Sequence, residues 1–188
     1  MLTCNLRAAL QCVSKQESRS ELETVCVEFT GDKIYVTGTD GLALFASAED
    51  NRGGITSGTA LIPMAIVAQA LKDNARAETI DMERDREWDA WKLGGITFTD
   101  TRARYPRWRR VVPQTLSGVV GHFDPALLVR AHKAIGFANG GGLASALYQN
   151  GNDAAILRGV SPDAICVVMP LRMDSVLKLI PEKHFLED

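Results

Sequence analysis

The chain has 188 residues, of which 46% are hydrophobic and 23% charged, so it is long enough to bury a core of ordinary composition. Its formal net charge of -2 argues against a strongly basic nucleic-acid-binding domain, although weak contact through one basic face remains compatible with it. No apolar run approaches the roughly 18 residues of a membrane span, and the first residues do not form a secretion signal. We therefore expect a cytoplasmic protein that does not bind membranes.

Three segments of the chain begin alike, each with a short predicted strand followed by a predicted helix. The strands are predicted at residues 2–7, 59–63 and 119–124, and the helices at 8–13, 64–71 and 126–135. Pro63 and Pro125 stand at two of the helix starts, where the missing N–H is tolerated, and Asp124 suits an N-cap.

Strand patterns with turn signals follow each of these helices. They occupy residues 24–30, 33–38, 79–83, 88–93, 95–99, 145–149, 154–158 and 164–169. Gly31-Asp32 and Asn150-Gly151 fall between alternating runs and indicate hairpins. The sequence thus predicts an α+β fold built from three copies of one repeat, each a helix with antiparallel strands.

A short polar run at residues 114–118 predicts a boundary between two units. Residues 1–114 would form a complete domain of two repeats, and residues 118–188 half a domain and a C-terminal tail. The third helix carries an apolar set, Leu127, Leu128 and Ile135, for which a half-domain offers no partner. We expect either a second copy of the chain or the tail (Val176, Leu177, Leu179 and Ile180) to cover it.

No constellation of catalytic or metal-binding residues emerges. The three histidines lie in no nucleophile or zinc motif, and the four cysteines (Cys4, Cys12, Cys26 and Cys166) are dispersed. Glycines 140–142 follow a helix, which indicates a helix end rather than a phosphate-binding loop. We therefore predict no enzymatic activity, no cofactor and no metal site, with reduced, buried thiols.

Three short sequences resemble, in the same order, motifs of the bacterial sliding clamps, the beta subunits of DNA polymerase III. VTGTDGLAL at residues 36–44 is similar to the family's TDGHRLA, RYPRWRRVVP at 104–113 to FPDYRRVLP, and CVVMPLRM at 166–173 to VVMPMRL. Leu42-Ala43 departs from the family's His-Arg. The resemblance implies clamp repeats forming one complete clamp domain, the middle one, and about half of the last.

In this family the turn and the near-terminal strand border a groove that binds short peptide motifs of polymerases and of the clamp loader. The resemblance carries that role over to Thr39, Gly41, Leu42, Leu44, Pro113, Val167, Val168, Met169, Pro170, Leu171 and Arg172. Alternate residues of 167–169 must also serve the core, since a strand faces two ways.

Weak, sequence-independent contact with double-stranded DNA is the second property that the resemblance implies. The family's helices line the central hole, and the basic helix residues here are Arg7, Lys15, Lys72, Arg130 and Lys133. Five arginines with Tyr105 and Trp108 at residues 102–110 form either a linker whose arginines pair with the acidic stretch 78–89 or a DNA-facing patch.

Two functions follow from these expectations. The first is a minimal sliding clamp, of phage or mobile-element type, that assembles a ring from several chains and tethers a polymerase to DNA. The second is a regulatory clamp fragment that competes for clamp partners without encircling DNA. A small enzyme on an unrelated α+β scaffold is the least favoured alternative.

Overall fold

In the computed structural model, residues 1–15, 20–85, 87–101, 103–142 and 145–172 are described. They form three α-helices, ten strands and two short 3-10 helices, at Ser20–Glu23 and Trp108–Val111. The helices are α1 (Thr3–Cys12), α2 (Met64–Asp73) and α3 (Pro125–Ala138). The strands are β1 (Thr24–Thr30), β2 (Lys33–Thr39), β3 (Ala43–Asp50), β4 (Ser57–Pro63), β5 (Met82–Asp85), β6 (Ala90–Leu93), β7 (Ile96–Phe98), β8 (Ala146–Tyr148), β9 (Ala155–Arg158) and β10 (Ala164–Val168). Neighbouring strands among these ten pair in antiparallel fashion, which confirms the predicted α+β class.

One seven-stranded sheet organises the molecule, in the order β4-β1-β2-β3-β10-β9-β8. Strands β5, β6 and β7 form a separate three-stranded sheet. The large sheet joins the first and third repeats, because β10 pairs with β3 in a register that sets Val168 opposite Ala43 and Ala164 opposite Ser47.

The helices cover one face of the large sheet, with α1 in contact with both α2 and α3. Alternate strand residues point into this layer, among them the fully buried Val36, Phe45 and Val168, and they meet Leu6 of α1 and Ile135 of α3 in one core.

Burial raises the pKa of the Cys26 thiol, which therefore stays protonated at neutral pH.

A second apolar cluster lies on the opposite face of the sheet. The intervening strand residues Leu44, Ala46 and Val167 are buried there against Trp108, from the segment that follows β7. Strands β3 and β10 are thus covered on both faces, which explains why they read as nearly continuous apolar runs instead of alternating ones.

Two of the three predicted leading strands are wrong. Helix α1 already begins at Thr3, and Leu2 keeps only a single bridge to Thr79. Residues 119–124 form no strand ladder. They lie beside the β8–β9 turn, where Gly151 N–H donates to the carbonyl of Val119 at 2.8 Å. The helix starts at Pro63 and Asp124 are confirmed, and Asp124 accepts the predicted capping bond from Ala126 N–H at 2.8 Å.

The expectation that the third repeat lacks a partner within its own chain is also wrong. Helix α3 packs against α1 more extensively than α2 does, and Leu127 and Ile135 are buried in the common core. Both the large sheet and this core cross the predicted boundary at residues 114–118. The residues of the C-terminal tail from 173 onward, including those predicted to fold back, lie outside the described residues.

Candidate functional site

The turn between β2 and β3 is held by the side chains of Thr39 and Asp40. Thr39 Oγ1 accepts from Gly41 N–H at 3.0 Å and donates to the carbonyl of Ala43 at 2.8 Å. Asp40 Oδ1 accepts from the N–H groups of Leu42 at 2.9 Å and Ala43 at 2.8 Å. Gly41 has a φ of 91°, which favours glycine over residues with a side chain. Leu42 is therefore presented at the surface on a fixed backbone.

Arg130 of α3 braces this turn from the helix side. Its Nη2 donates to Asp40 Oδ2 at 2.6 Å, and the Arg130 and Asp40 side chains are only 33% and 14% exposed. Both oxygens of Asp40 are consequently occupied, one by the turn and one by the helix. The ion pair therefore connects the turn between β2 and β3 to α3, the helix of the third repeat.

We expect Arg130→Met to loosen the turn. The change leaves the Asp40 carboxylate half-buried without its cation, which should lower the free energy of unfolding by about 1 to 2 kcal/mol, between the values for exposed and buried pairs. Urea unfolding measures this loss. Lys133→Met, on the exposed side of the same helix, is the matched control and should leave the free energy of unfolding unchanged. Equal effects of the two changes would contradict a bracing role for Arg130.

Residues 105–111, between β7 and α3, pack on the outer face of the sheet and form what we call the wall segment. Tyr105 donates to the carbonyl of Thr37 at 3.4 Å, and burial raises the pKa of this phenol, so it remains a donor. Trp108 Nε1 donates to Glu28 Oε1 at 3.3 Å, and Arg109 Nη1 lies 2.6 Å from Glu28 Oε2. The Arg109 guanidinium also lies over the rings of Tyr35 and Trp108.

This packing shows how one residue of the arginine-rich segment, Arg109, is paired. That arginine pairs with Glu28 of β1, not with the acidic stretch at residues 78–89, so the predicted pairing is wrong there. Arg102 lies outside the described residues.

The end of β10 forms the other side of the groove. Met169 N–H donates to the carbonyl of Leu42 at 2.9 Å and so continues the β3–β10 ladder into the turn. The next contact of the chain, from Leu171 N–H to the carbonyl of His122 at 2.7 Å, leads toward the segment before α3. Met169, directly after β10, is therefore the last residue on this side of the sheet that faces the cavity.

The turn, the wall segment and the end of β10 enclose a cavity of about 490 Å³, which we call the groove. Its lining residues are Glu21, Leu22, Thr39, Gly41, Leu42, Ala43, Leu44, Pro106, Arg107, Trp108, Arg110, Val111, Val167 and Met169. The lining combines aliphatic side chains, a flexible thioether and one indole, which suits an apolar segment of a partner.

Six of the predicted groove residues line this cavity: Thr39, Gly41, Leu42, Leu44, Val167 and Met169. The other five do not. Val168 is fully buried and faces the helices, because it alternates with Val167 along the strand. Pro113 is half-buried beyond the wall segment, and Pro170, Leu171 and Arg172 follow the chain away from the cavity.

Sequence reasoning missed most of the wall. The sequence predicted a linker at these residues, with a DNA-facing patch as the alternative, and placed none of them in a groove: Pro106, Arg107, Trp108, Arg110 and Val111. Glu21 and Leu22, which precede β1, carry no motif that would have placed them here.

The five residues predicted to face DNA lie in different environments. Lys15, Lys72 and Lys133 are exposed on or next to the three helices that cover one face of the sheet. Arg7 is half-buried and donates to the carbonyl of Ala75 at 3.2 Å. Arg130 is engaged by Asp40, so its predicted role as a phosphate contact is not supported by the geometry.

A larger cavity, of about 720 Å³, lies beside the start of α1 and the β3–β4 connection. Its most buried acid, Glu49, already accepts from Leu2 N–H at 3.1 Å and from Asn5 Nδ2 at 2.7 Å. Within the described ranges no group of three or more histidine, cysteine, aspartate or glutamate residues is placed to hold a metal ion. No helix among those residues has the length and apolarity needed to cross a bilayer.

No protein-family profile matches the sequence, and no curated protein matches it. Solved structures do match by fold. A structure from Eubacterium rectale assigned as a DNA polymerase III beta subunit superposes with a TM-score of 0.73 at 7% identity, over 92% of this chain and 65% of that one. The Helicobacter pylori beta clamp bound to a DNA ligase peptide gives 0.72 at 10% identity, over 91% and 63%. The Caulobacter crescentus DNA polymerase sliding clamp gives 0.70 at 14% identity, over the same shares.

The chain thus spans somewhat less than two thirds of the length of these neighbours, while nearly all of it is matched. At such low identity the likeness concerns the fold and not the partners. The chain has the fold of the DNA sliding clamps, of which it covers about two thirds.

Proposed function

We propose that this chain is a sliding-clamp-like processivity factor, which tethers a polymerase or another DNA-processing protein to DNA. The observation that carries the proposal is the groove, where the turn after β2, the wall segment and the end of β10 meet around an apolar lining. Three segments that resemble clamp motifs, far apart in sequence, contribute to it. In one neighbour of the same fold the structure holds a DNA ligase peptide. The role is one of binding, without an enzymatic step.

The partners of the groove would be short peptide segments of a polymerase or a clamp loader. An extended segment can lay apolar side chains into a cavity of this size with few polar contacts. The exposed lysines on the helix side, Lys15, Lys72 and Lys133, would supply weak contacts to the phosphates of double-stranded DNA.

Homo-oligomerisation is the part of the proposal that completes a ring. Among the described residues the large sheet ends at β4 on one side and at β8 on the other, and edge strands of this kind can pair with a strand of another copy. Ring closure therefore depends on edge pairing between copies, not on covering α3, which is already packed in its own chain.

A competitor role is the second candidate, and one observation favours it. The third repeat shares its sheet and core with the first, so a single chain is already a packed unit with a formed groove. Such a chain could hold clamp-binding peptides without encircling DNA.

The experiment that separates the two functions measures mass in solution and retention on DNA. We expect light scattering to show a concentration-dependent oligomer, and we expect the protein to be retained on nicked circular DNA but lost from the same DNA after linearisation. Peptide binding by a strict monomer that is not retained on circles would favour the competitor. Absence of both peptide binding and retention would contradict both functions.

A further inference from the structure

The charged side chains of the groove are unevenly distributed. Of its described lining residues three are charged, namely Arg107, Arg110 and Glu21. Arg109, which lies between the two arginines, is directed away to Glu28 and to the rings of Tyr35 and Trp108. The arginines on either side of it border the groove.

Arg107 and Arg110 are exposed, and within the described ranges neither side chain has an ion pair or a hydrogen bond. Their guanidinium groups are therefore available to a ligand without breaking an existing pair. Guanidinium binds carboxylates through two parallel hydrogen bonds, which adds direction to charge attraction.

Arg107 also marks a departure from the motif that the wall segment resembles. The motif FPDYRRVLP has aspartate at the position of Arg107, and TDGHRLA has arginine at the position of Ala43, which is buried here. Relative to those motifs, positive charge is absent from the turn and present on the wall.

We infer that the groove selects partner segments in which apolar anchors adjoin carboxylates, with Arg107 as a specificity-determining residue. This inference rests on the proposed function of the groove. The apolar anchors would contact Leu42, Leu44 and Met169, beside the indole of Trp108. The carboxylates would pair with Arg107 and Arg110 at the rim.

Phosphates of DNA are the competing ligand for these arginines. The peptide is favoured because both arginines border an apolar cavity with a buried indole, while the exposed lysines lie on the helix side of the sheet. A phosphate backbone would leave that apolar lining uncovered.

The test uses three fluorescein-labelled peptides with the same Leu-Leu-Phe anchor, flanked by two aspartates, two asparagines or two lysines. Binding to the full chain is followed by fluorescence polarisation at about 0.1 M and about 0.5 M salt. We expect the acidic peptide to bind tightest and the basic one weakest, with differences that shrink at high salt because exposed charges are screened.

Arg107→Gln should weaken binding of the acidic peptide by about five-fold, the scale of one exposed ion pair, and leave the neutral peptide unchanged. Arg104→Gln is the matched control, since Arg104 is exposed in the same segment but does not line the groove. Equal binding of acidic and neutral peptides would overturn the inference and leave the groove intact. Loss of DNA affinity in Arg107→Gln, with peptide binding unchanged, would also overturn it.

A failure of the groove itself gives a different result. If none of the three peptides binds, or if a charge introduced at Met169 changes nothing, the proposed function fails together with this inference.

Discussion

Met169→Asp is expected to weaken binding of a groove peptide by about 2 kcal/mol, or roughly thirty-fold in Kd. Met169 lines the groove and is 37% exposed in the free chain, so a bound apolar segment would cover it. Covering a carboxylate there strips it of water without supplying a hydrogen-bond donor. Fluorescence polarisation with the neutral peptide described above measures the effect, because that peptide has no charge of its own beside the anchor.

Leu171→Asp is the matched control for this change. Leu171 is 45% exposed and stands two residues further on, but it lies outside the cavity lining. The same new charge at Leu171 should change peptide affinity by less than about two-fold, a small long-range effect at moderate salt. Equal losses at the two positions would show that the groove extends along residues 170–172, as the family resemblance implied and the cavity does not.

The parts of the fold that local patterns encode were predictable from the sequence. Strands β1 and β2 with their turn at Gly31-Asp32, and the starts of α2 and α3 at Pro63 and Asp124, have backbone chemistry that acts within a few residues. The start of α1 was not predictable in this way, since it has no side-chain cap, no proline and no acidic residue in its first turn.

The partner of the third repeat was unpredictable for a different reason. Pairing of β10 with β3 and packing of α3 on α1 join residues from opposite ends of the chain. An apolar helix face such as that of Leu127 and Ile135 indicates that another element of structure covers it. The sequence pattern of the helix does not identify which element that is. Counting repeats led to a second chain or the C-terminal tail as the cover, whereas the first repeat supplies the contact.

The residues of the groove also divide into those that local sequence patterns indicate and those that only tertiary contacts position. Family motifs located Leu42, Leu44, Val167 and Met169, and strand alternation excludes Val168, which could have been predicted from period two alone. Trp108 and Arg107 could not be placed by their own sequence, because the segment that carries them has no regular strand or helix before its short turn at Trp108–Val111. Its position follows from tertiary contacts with Glu28, Thr37 and the outer face of β3.

Gly38 is the position at which a single methyl group should perturb the fold most. It lies in β2, immediately before the turn at Thr39 and Asp40, and α1 crosses it closely. A Cβ built on Gly38 would lie 2.9 Å from the carbonyl carbon and 3.2 Å from the Cα of Ala9. These are backbone atoms at the centre of α1, so no side chain can rotate to make room, and the helix itself must move away from the sheet.

Gly38→Ala is therefore expected to lower the free energy of unfolding by about 3 kcal/mol, at the upper end of the usual cost of overpacking a core. Because α1 also contacts α3, the displacement should reach Arg130 and the turn that it braces, so peptide binding should weaken as well. Urea unfolding of the full chain gives the stability change. Gly54→Ala is the matched control, since Gly54 is exposed and a Cβ there meets nothing within 4 Å. A loss below about 0.5 kcal/mol in Gly38→Ala would show that α1 does not pack this closely on β2. It would also contradict the expectation that a displacement of α1 reaches Arg130 and the groove.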